Sequence, residues 1–469
     1  MSDAVLARVF RTDRRSVVAW SVILIAVAAR VGWAAWVAHA YPEAVTSGDT
    51  PGYLGPAEAL VDSGRFDVSP QDGTPMFFRT PGYPAFLAAI LWVTGSTWSI
   101  SPIQAVLSVL IILLVVLIGQ RVVSPTAGVV AGVLVALDPL QFASSGTILT
   151  ESLFTLMLVG VVAAGIPVLL RPLQQVRPIH LAALGALIAI ATMVRPTTYY
   201  LPIVVLVLLA VRFWRLAWRS KLALLLAFAL PIVLVVGGWM ARNHDEVGSW
   251  QLSGSAAITL YCWHAADVEA RDGGVSIQEA REQLECPPGG WDDLRTVCPS
   301  WWACDADQPL ADGASWDEMG SRGIDILTDH PLLTGEMFIR GLAREVAGPG
   351  TDTVGRFLHV DSSPALFALL LLWNLLLWSL ALVGAAVGLR SPQRWFWGFV
   401  VTVIVYVLVV SAGANSGARF RTPLVPLLAL LAAVGIRHIV QSRRRRGSAP
   451  GSVQPSPALR HRSDEPSDT

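Results

Sequence analysis

The chain has little charge and almost no lysine. Only 14% of its 469 residues are charged against 54% hydrophobic, and Lys221 is the single lysine among 34 basic residues. With a mean hydropathy of +0.55, most of such a chain cannot be a water-soluble fold and belongs in a bilayer. The 34 basic residues are matched by 34 acidic ones, so no net field attracts nucleic acid as a partner. There is no P-loop, no Rossmann fingerprint between a strand and a helix, no H-E-x-x-H and no G-x-S-x-G. This argues against ATP-driven transport and against a Rossmann-type nucleotide-sugar enzyme. No cluster of carboxylates or histidines calls for a metal, and no cofactor is expected.

Cysteine is scarce as well: Cys262, Cys286, Cys298 and Cys304 are the only four, and all fall in one polar stretch. In an oxidising compartment they read as two disulfides. A zinc site is the rival reading, but the spacings lack a paired C-x-x-C and the nearest histidine is His264.

What the chain does have is long apolar runs. They lie at about 17–39, 101–120, 126–145, 152–170, 179–194, 197–213, 221–240, 364–389, 395–412 and 421–440. The expectation is an all-α polytopic membrane protein with a bundle of about ten transmembrane helices. Ala38-His39-Ala40 resembles a signal-peptidase site, but the first run is too long for a cleaved signal and reads as a retained anchor. The apolar piece at 81–93 has only about thirteen residues, which favours an interfacial helix over a span. With ten spans and the N-terminus inside, the connections holding Arg121, Arg171, Arg177, Arg212 to Lys221, Arg390, Arg394 and Arg443 to Arg446 all fall on the cytoplasmic side of the plasma membrane; an eleventh span would place them all outside.

The domain reading follows: a cytoplasmic N-terminus (1–16), a membrane bundle with an external loop at 40–100 (17–242), and a small external cysteine-bearing lobe (243–362). Further membrane helices (363–440) and a disordered cytoplasmic tail (441–469) complete it.

The polar residues that look chosen sit at the outer ends of the spans. Asp49, in Ser47-Gly48-Asp49-Thr50-Pro51-Gly52-Tyr53, is either a turn residue bonded to its own backbone or a carboxylate for an acceptor hydroxyl. Arg79, in Phe78-Arg79-Thr80-Pro81-Gly82-Tyr83-Pro84, is either a snorkelling arginine or a phosphate clamp. Glu151 opens a helix, where the dipole favours it, and it also stands where it could orient an acceptor. Arg195, Arg419 and Arg421 run against the positive-inside trend and need a counter-charge: a lipid phosphate, or Asp49, Glu58 and Glu151. Arg30, inside the first span, needs an interior partner, for which Asp138 is the candidate.

Taken in order, Asp49 with Tyr53, Arg79 in Arg-Thr-Pro-Gly-Tyr-Pro, Thr150-Glu151-Ser152, Arg195-Pro196, Arg242-Asn243 and Arg419-Phe420-Arg421-Thr422-Pro423 resemble the GT-C membrane glycosyltransferases over about residues 15–440. More narrowly they are similar to glycosyltransferase family 39, the protein mannosyltransferase and aminoarabinose transferase group. The resemblance implies a GT-C-like bundle, a polyprenyl-phosphate sugar donor, and inverting transfer to a glycan, lipid or protein acceptor on the outer face. Asp49 would be the base or acceptor-orienting carboxylate, with Tyr53, Arg79, Tyr83, Glu151, Arg195, Arg419 and Arg421 binding substrate. Thr50 stands where the better-known protein mannosyltransferases continue an Asp-Glu pair, which counts against a protein acceptor. The competing readings are a transporter or lipid flippase, and a non-catalytic scaffold of a cell-envelope pathway. Against transport, the informative residues gather at span ends and no internal repeat is visible.

Overall fold

The computed structural model describes residues 14–71, 73–286 and 313–447. Among these the chain is helical apart from turns, the one β pairing being a single bridge between Asp67 and Pro75. The first helix, α1 (Arg14–Ala40), leads through the outer loop to α2 (Pro51–Asp62) and α3 (Gly82–Thr94). The bundle continues with α4 (Ile100–Val122), α5 (Pro125–Leu137), α6 (Pro139–Gly146), α7 (Glu151–Leu169), α8 (Pro178–Val194), α9 (Leu201–Arg212) and α10 (Trp218–Val247). In the lobe, α11 runs from Ser255–Ile258 through a π-helical turn, Thr259–Ala265, into Ala266–Asp272. Then come α12 (Ile277–Gln283), α13 (Gly313–Asp329), α14 (Pro331–Ala347) and α15 (Thr351–Leu358). The chain returns to the bundle with α16 (Pro364–Leu389), α17 (Arg394–Ser411) and α18 (Val425–Gly447), the last entered through a 3₁₀ segment, Ala418–Leu424.

All ten expected apolar runs are helical. Among the described residues seven helices are long and apolar enough to cross a bilayer, and the pair α5 and α6, bent by 61°, makes an eighth when counted as one span; α8 and the Pro196–Arg212 helix are shorter. The protein is an integral membrane protein. Local chemistry sets the helix starts: Ser124 and Ser363 cap α5 and α16 with their side chains, and Pro125 and Pro364 follow at the first turn, where a missing N–H costs nothing. Gly95, at φ 65°, closes α3 after 13 residues. At 1.5 Å per residue that helix is roughly 20 Å long, short of the roughly 30 Å hydrocarbon core.

The bend between α5 and α6 falls at Asp138-Pro139. Pro139 has no N–H to give back to α5, so α5 ends, and the Asp138 carboxylate caps α6 through Gln141 N at 2.8 Å. The freed carbonyls at the end of α5 are met by Arg30, which donates to Val135 O at 2.6 Å and Ala136 O at 2.9 Å. The expected Arg30–Asp138 pair is therefore not what forms: Asp138 spends its carboxylate on the cap and on Trp373 Nε1 at 2.8 Å. Arg30 is fully buried and serves the negative end of a helix instead. Irregular backbone at this depth is tolerated where side chains satisfy it, and Ser101 and Gln104 do the same for Gly146 O and Thr147 O.

The lobe does not fold apart from the first outer loop. Phe77, Phe78 and Met76 of that loop share one buried cluster with Tyr261, Cys262, Cys286 and Trp316 of the lobe. Cys262 and Cys286 form a disulfide with Cα atoms 5.6 Å apart; Cys298 and Cys304 lie outside the described residues, as do the ends of the chain. Within the bundle α16 and α18 approach closely at Gly384 and Gly435, where a methyl group on either would strike the carbonyl of Leu431 or Leu380. Gly384→Val is expected to separate these helices and to destabilise the protein by about 1–3 kcal/mol. The readout is a lower thermal unfolding midpoint in detergent micelles; an unchanged midpoint would show that the contact carries no weight.

Candidate active site

The loop after α1 is pinned before its carboxylate is aimed. Ser47 N donates to Thr50 Oγ1 at 2.9 Å, Thr50 Oγ1 donates to Ile148 O at 3.0 Å, and Ile148 N donates to Val45 O at 2.7 Å. The turn is thus made by Ser47 and Thr50, and the Asp49 side chain is not consumed in capping it. Instead Asp49 Oδ1 accepts from Arg79 Nη2 at 2.8 Å and Oδ2 from Arg419 Nη2 at 3.3 Å. Burial acts to raise this carboxyl, but the Arg79 and Arg419 guanidiniums outweigh it and hold it below its ordinary value.

The two arginines are held differently. Arg79 lies between the rings of Tyr53, at 4.4 Å, and Phe78, at 4.6 Å, and its side chain is 14% exposed. Such stacking fixes a guanidinium while leaving its edges free to donate. Arg419, at the start of the 3₁₀ segment, is 37% exposed and, among the described residues, rests against one ring, that of Phe420, at 5.1 Å. Of the two it is the more exposed partner of Asp49.

A second pair stands beside the first. Glu151 is buried in the first turn of α7, and its Oε1 accepts from Arg195 Nη1 at 3.4 Å, while its Oε2 is buried without a hydrogen-bond partner. Arg195 follows the end of α8 and lies near the rings of Phe154 and Phe420, at 5.7 and 5.0 Å. Asp49, Tyr53, Arg79, Glu151, Arg195 and Arg419 all line one cavity of about 950 Å³. Three guanidiniums meet two carboxylates there, so the inner part of the cavity carries one positive charge in excess.

Two expected substrate-binding residues stand elsewhere. Tyr83 is fully buried, donates to Gln104 Oε1 at 2.6 Å and packs edge-on against Tyr53, so it supports the site from behind. Arg421 is buried and donates to Glu345 O at 2.6 Å, Val346 O at 3.1 Å and Gly348 O at 3.0 Å. A 3₁₀ helix turns about 120° per residue, so positions two apart face different ways: Arg419 enters the cavity and Arg421 caps the end of α14. Glu58 is exposed on α2, away from the cavity lining.

Several residues that position the site were not evident in the sequence. Arg344 of α14 donates to Gly413 O at 2.8 Å, Ala414 O at 2.8 Å and Ser416 O at 3.2 Å, holding the loop that delivers Arg419. Beside it Glu345 is fully buried, which pushes its carboxyl up to about 7, with the Ser411 hydroxyl donating to it at 3.0 Å. The signal was the glycine and small-residue run Gly413 to Gly417, a backbone too pliant to hold Arg419 without such a clamp. Burial holds the His264 imidazole, also on the cavity wall, down to about 4.

With this geometry in view, the comparisons with known proteins converge. The family model for dolichyl-phosphate-mannose-protein mannosyltransferase matches residues 78–239. No curated protein sequence matches the chain. Among solved structures it is similar to ArnT from Cupriavidus metallidurans bound to undecaprenyl phosphate, with a TM-score of 0.50 and 11% identity over 93% of this chain and 63% of that one. It is also similar to the apo oligosaccharyltransferase of Archaeoglobus fulgidus, with a TM-score of 0.51 and 14% identity over 93% of this chain and 53% of that one. The chain thus has the GT-C membrane glycosyltransferase fold and spans between half and two-thirds of the length of these structures.

Removing Arg419 leaves burial opposed by one guanidinium fewer, so Arg419→Gln is expected to raise the Asp49 carboxyl. Infrared difference titration, with Asp49→Asn as the blank, reads this as a protonated-carboxyl band appearing at higher pH in Arg419→Gln than in the parent protein. Identical midpoints would mean that Arg419 does not act on Asp49.

Proposed function

We propose that this glycosyltransferase-type enzyme of the GT-C fold transfers a sugar, with inversion, from a polyprenyl-phosphate carrier to an acceptor hydroxyl. The observation that carries the reading is the meeting of Asp49, Arg79, Glu151, Arg195 and Arg419, from separate segments, in one cavity with an excess of positive charge. The match of residues 78–239 to a family described by a lipid-phosphate sugar supports the donor class, as does the similarity to a structure bound to undecaprenyl phosphate.

In the transfer, the acceptor oxygen attacks the anomeric carbon from the face opposite the phosphate. The bond from that carbon to the phosphate oxygen breaks, and its electron pair leaves on the polyprenyl phosphate, which goes from one negative charge to two. The hydroxyl proton passes to Asp49 as the new bond forms. A carboxylate held below its ordinary value is a weak base, so its first task is to orient the hydroxyl. The growing charge on the phosphate is met by guanidiniums, which present planar paired donors to such an anion. Arg419 is exposed enough to turn from Asp49 to the phosphate, freeing one carboxylate oxygen for the acceptor, while Arg79 stays clamped between its two rings.

The reading places this chemistry on the outer face of the plasma membrane with both termini inside. The cavity residues lie at one set of helix ends, and Arg121, Arg171, Arg177, Arg212, Arg390 and Arg394 lie at the other set. There Arg212 donates to Arg171 O at 3.2 Å, and Arg437 donates to Val123 O. Short connections rich in arginine are retained in the cytoplasm.

The test is a reconstituted assay with a panel of polyprenyl-phosphate pentoses and hexoses, following release of polyprenyl phosphate and incorporation of sugar into envelope material. Asp49→Asn is expected to lower turnover by about 10²–10⁴ with the helical fold, read by circular dichroism, retained. Full turnover by that variant sinks the role given to Asp49. Translocation of the intact lipid without any covalent transfer would make the protein a flippase instead.

A further inference from the structure

The cavity has a second wall, built by the lobe, and its chemistry differs from that of the inner site. Trp250 and Trp263 both line it. Trp250 is 57% exposed, and one face of its indole is covered by the His244 ring at 4.5 Å, nearly parallel at 15°. The ring of Trp263 carries the Arg281 guanidinium at 4.5 Å. One face of each indole is thus occupied, and both rings border the cavity, which Arg281 also lines. Asp317 and Gln251, with Asn415 from the loop before Arg419, also line the cavity and offer carboxylate and amide groups.

Asp317 and Gln251 are held in place. Ser249 Oγ donates to Asp317 Oδ1 at 2.8 Å, Gln251 Nε2 donates to the same oxygen, and Asn243 Nδ2 fixes the Gln251 and Leu252 carbonyls at 3.0 and 3.1 Å. Trp263 belongs to a π-helical turn, a deviation that recurs at functional sites. The neighbouring Cys262 is bonded to Cys286, which ties that turn to the end of α12, the helix that carries Arg281.

The charge of this wall narrows the ligand. Asp317 and Arg281 cancel, and His264 is neutral at ordinary pH because burial lowers it to about 4. An anionic lipid headgroup has no excess of cations to meet here, in contrast to the inner site. A peptide bound as an added strand needs a sheet edge, and among the described residues the only β pairing is one bridge. Aromatic faces with a few placed donors and acceptors suit a ligand having both C–H faces and hydroxyls.

We infer that the lobe wall is the acceptor subsite and that it takes the end of an uncharged glycan, with sugar C–H faces on Trp250 and Trp263 and hydroxyls at Asp317, Gln251 and Asn415. This rests on the glycosyltransferase reading. The hydroxyl so presented forms the new bond to the anomeric carbon and releases its proton toward Asp49, while the phosphate departs with the electron pair of the broken bond.

The test uses the full chain in lipid nanodiscs and three probes: neutral gluco-, manno-, galacto- and arabino-oligosaccharides, an acidic oligogalacturonide, and a Ser/Thr-rich peptide. Tryptophan fluorescence titration is expected to show binding of a neutral oligosaccharide, weakened about tenfold in Trp263→Ala and in Trp250→Ala, with partial recovery in Trp263→Phe. Trp250 lies at the exposed rim, so its variant keeps the test valid should Trp263→Ala misfold. Preference for the acidic probe or the peptide, absence of binding by every neutral probe, or unchanged affinity in both alanine variants would overturn the inference. Oligosaccharide binding that is intact in a protein unable to turn over any polyprenyl-phosphate sugar would support the glycan site and overturn the transferase reading instead.

Discussion

The double contact of Arg79 and Arg419 with Asp49 is the interaction on which the site depends. A guanidinium at the edge of a bilayer is costly to desolvate and stays ionised, so each one must find an anion or a set of carbonyls. Asp49 supplies half of that answer and Glu151 the other half. Both hold arginines where the resting cavity still keeps one positive charge uncompensated. Bringing those groups together takes every departure from straight helices in this part of the molecule: the Ser47–Thr50 turn, the connection into α7, the corner at Arg195-Pro196 and the 3₁₀ entry to α18.

Helix ends and loops around the site leave carbonyls without helical partners, and a second set of arginines satisfies several of them. Arg30 serves the end of α5, Arg421 the end of α14, and Arg344 the loop at 413–416. Arg242 serves the first outer loop through Met76 O at 3.0 Å and Phe66 O at 3.3 Å. The near-absence of lysine acquires a reason here. A planar fork bonds two or three carbonyls from one position, whereas an ammonium is a compact, strongly hydrated charge. The arginines therefore divide by what they touch: some are framework, bonded to backbone, and a few face carboxylates across an open cavity.

That division marks the limit of what the sequence disclosed. Span positions, the short helix after Arg79 and the grouping of Asp49, Arg79, Glu151 and Arg195 follow from hydrophobic length and from polar residues at one set of helix ends, which are local properties. Whether an arginine meets a carboxylate or a carbonyl depends on a helix rotation and on contacts hundreds of residues apart. In the sequence Arg419 and Arg421 therefore look alike, and depth alone points Arg30 to Asp138. The sharing of one core between the first loop and the lobe was equally hidden, because Phe77, Phe78 and Trp316 have no local pattern that joins them. The polar stretch at 243–362 reads as an external lobe, and its packing against the first loop makes it the second wall of the cavity.

On the glycosyltransferase reading, the electrostatics also decide where the rate comes from. A carboxylate stabilised by two guanidiniums has little proton affinity, so Asp49 cannot supply most of the acceleration as a base. The phosphate side is different. One removed donor to a developing anion typically costs about 10²–10³ in rate, and this cavity offers three guanidiniums to a leaving group whose charge doubles. The same contacts that weaken Asp49 as a base thus hold the cations that favour departure of the phosphate, and the nucleophile needs orientation more than activation. A neutral acceptor wall is consistent with that division of labour, because it holds the incoming hydroxyl without drawing the arginines away from the phosphate.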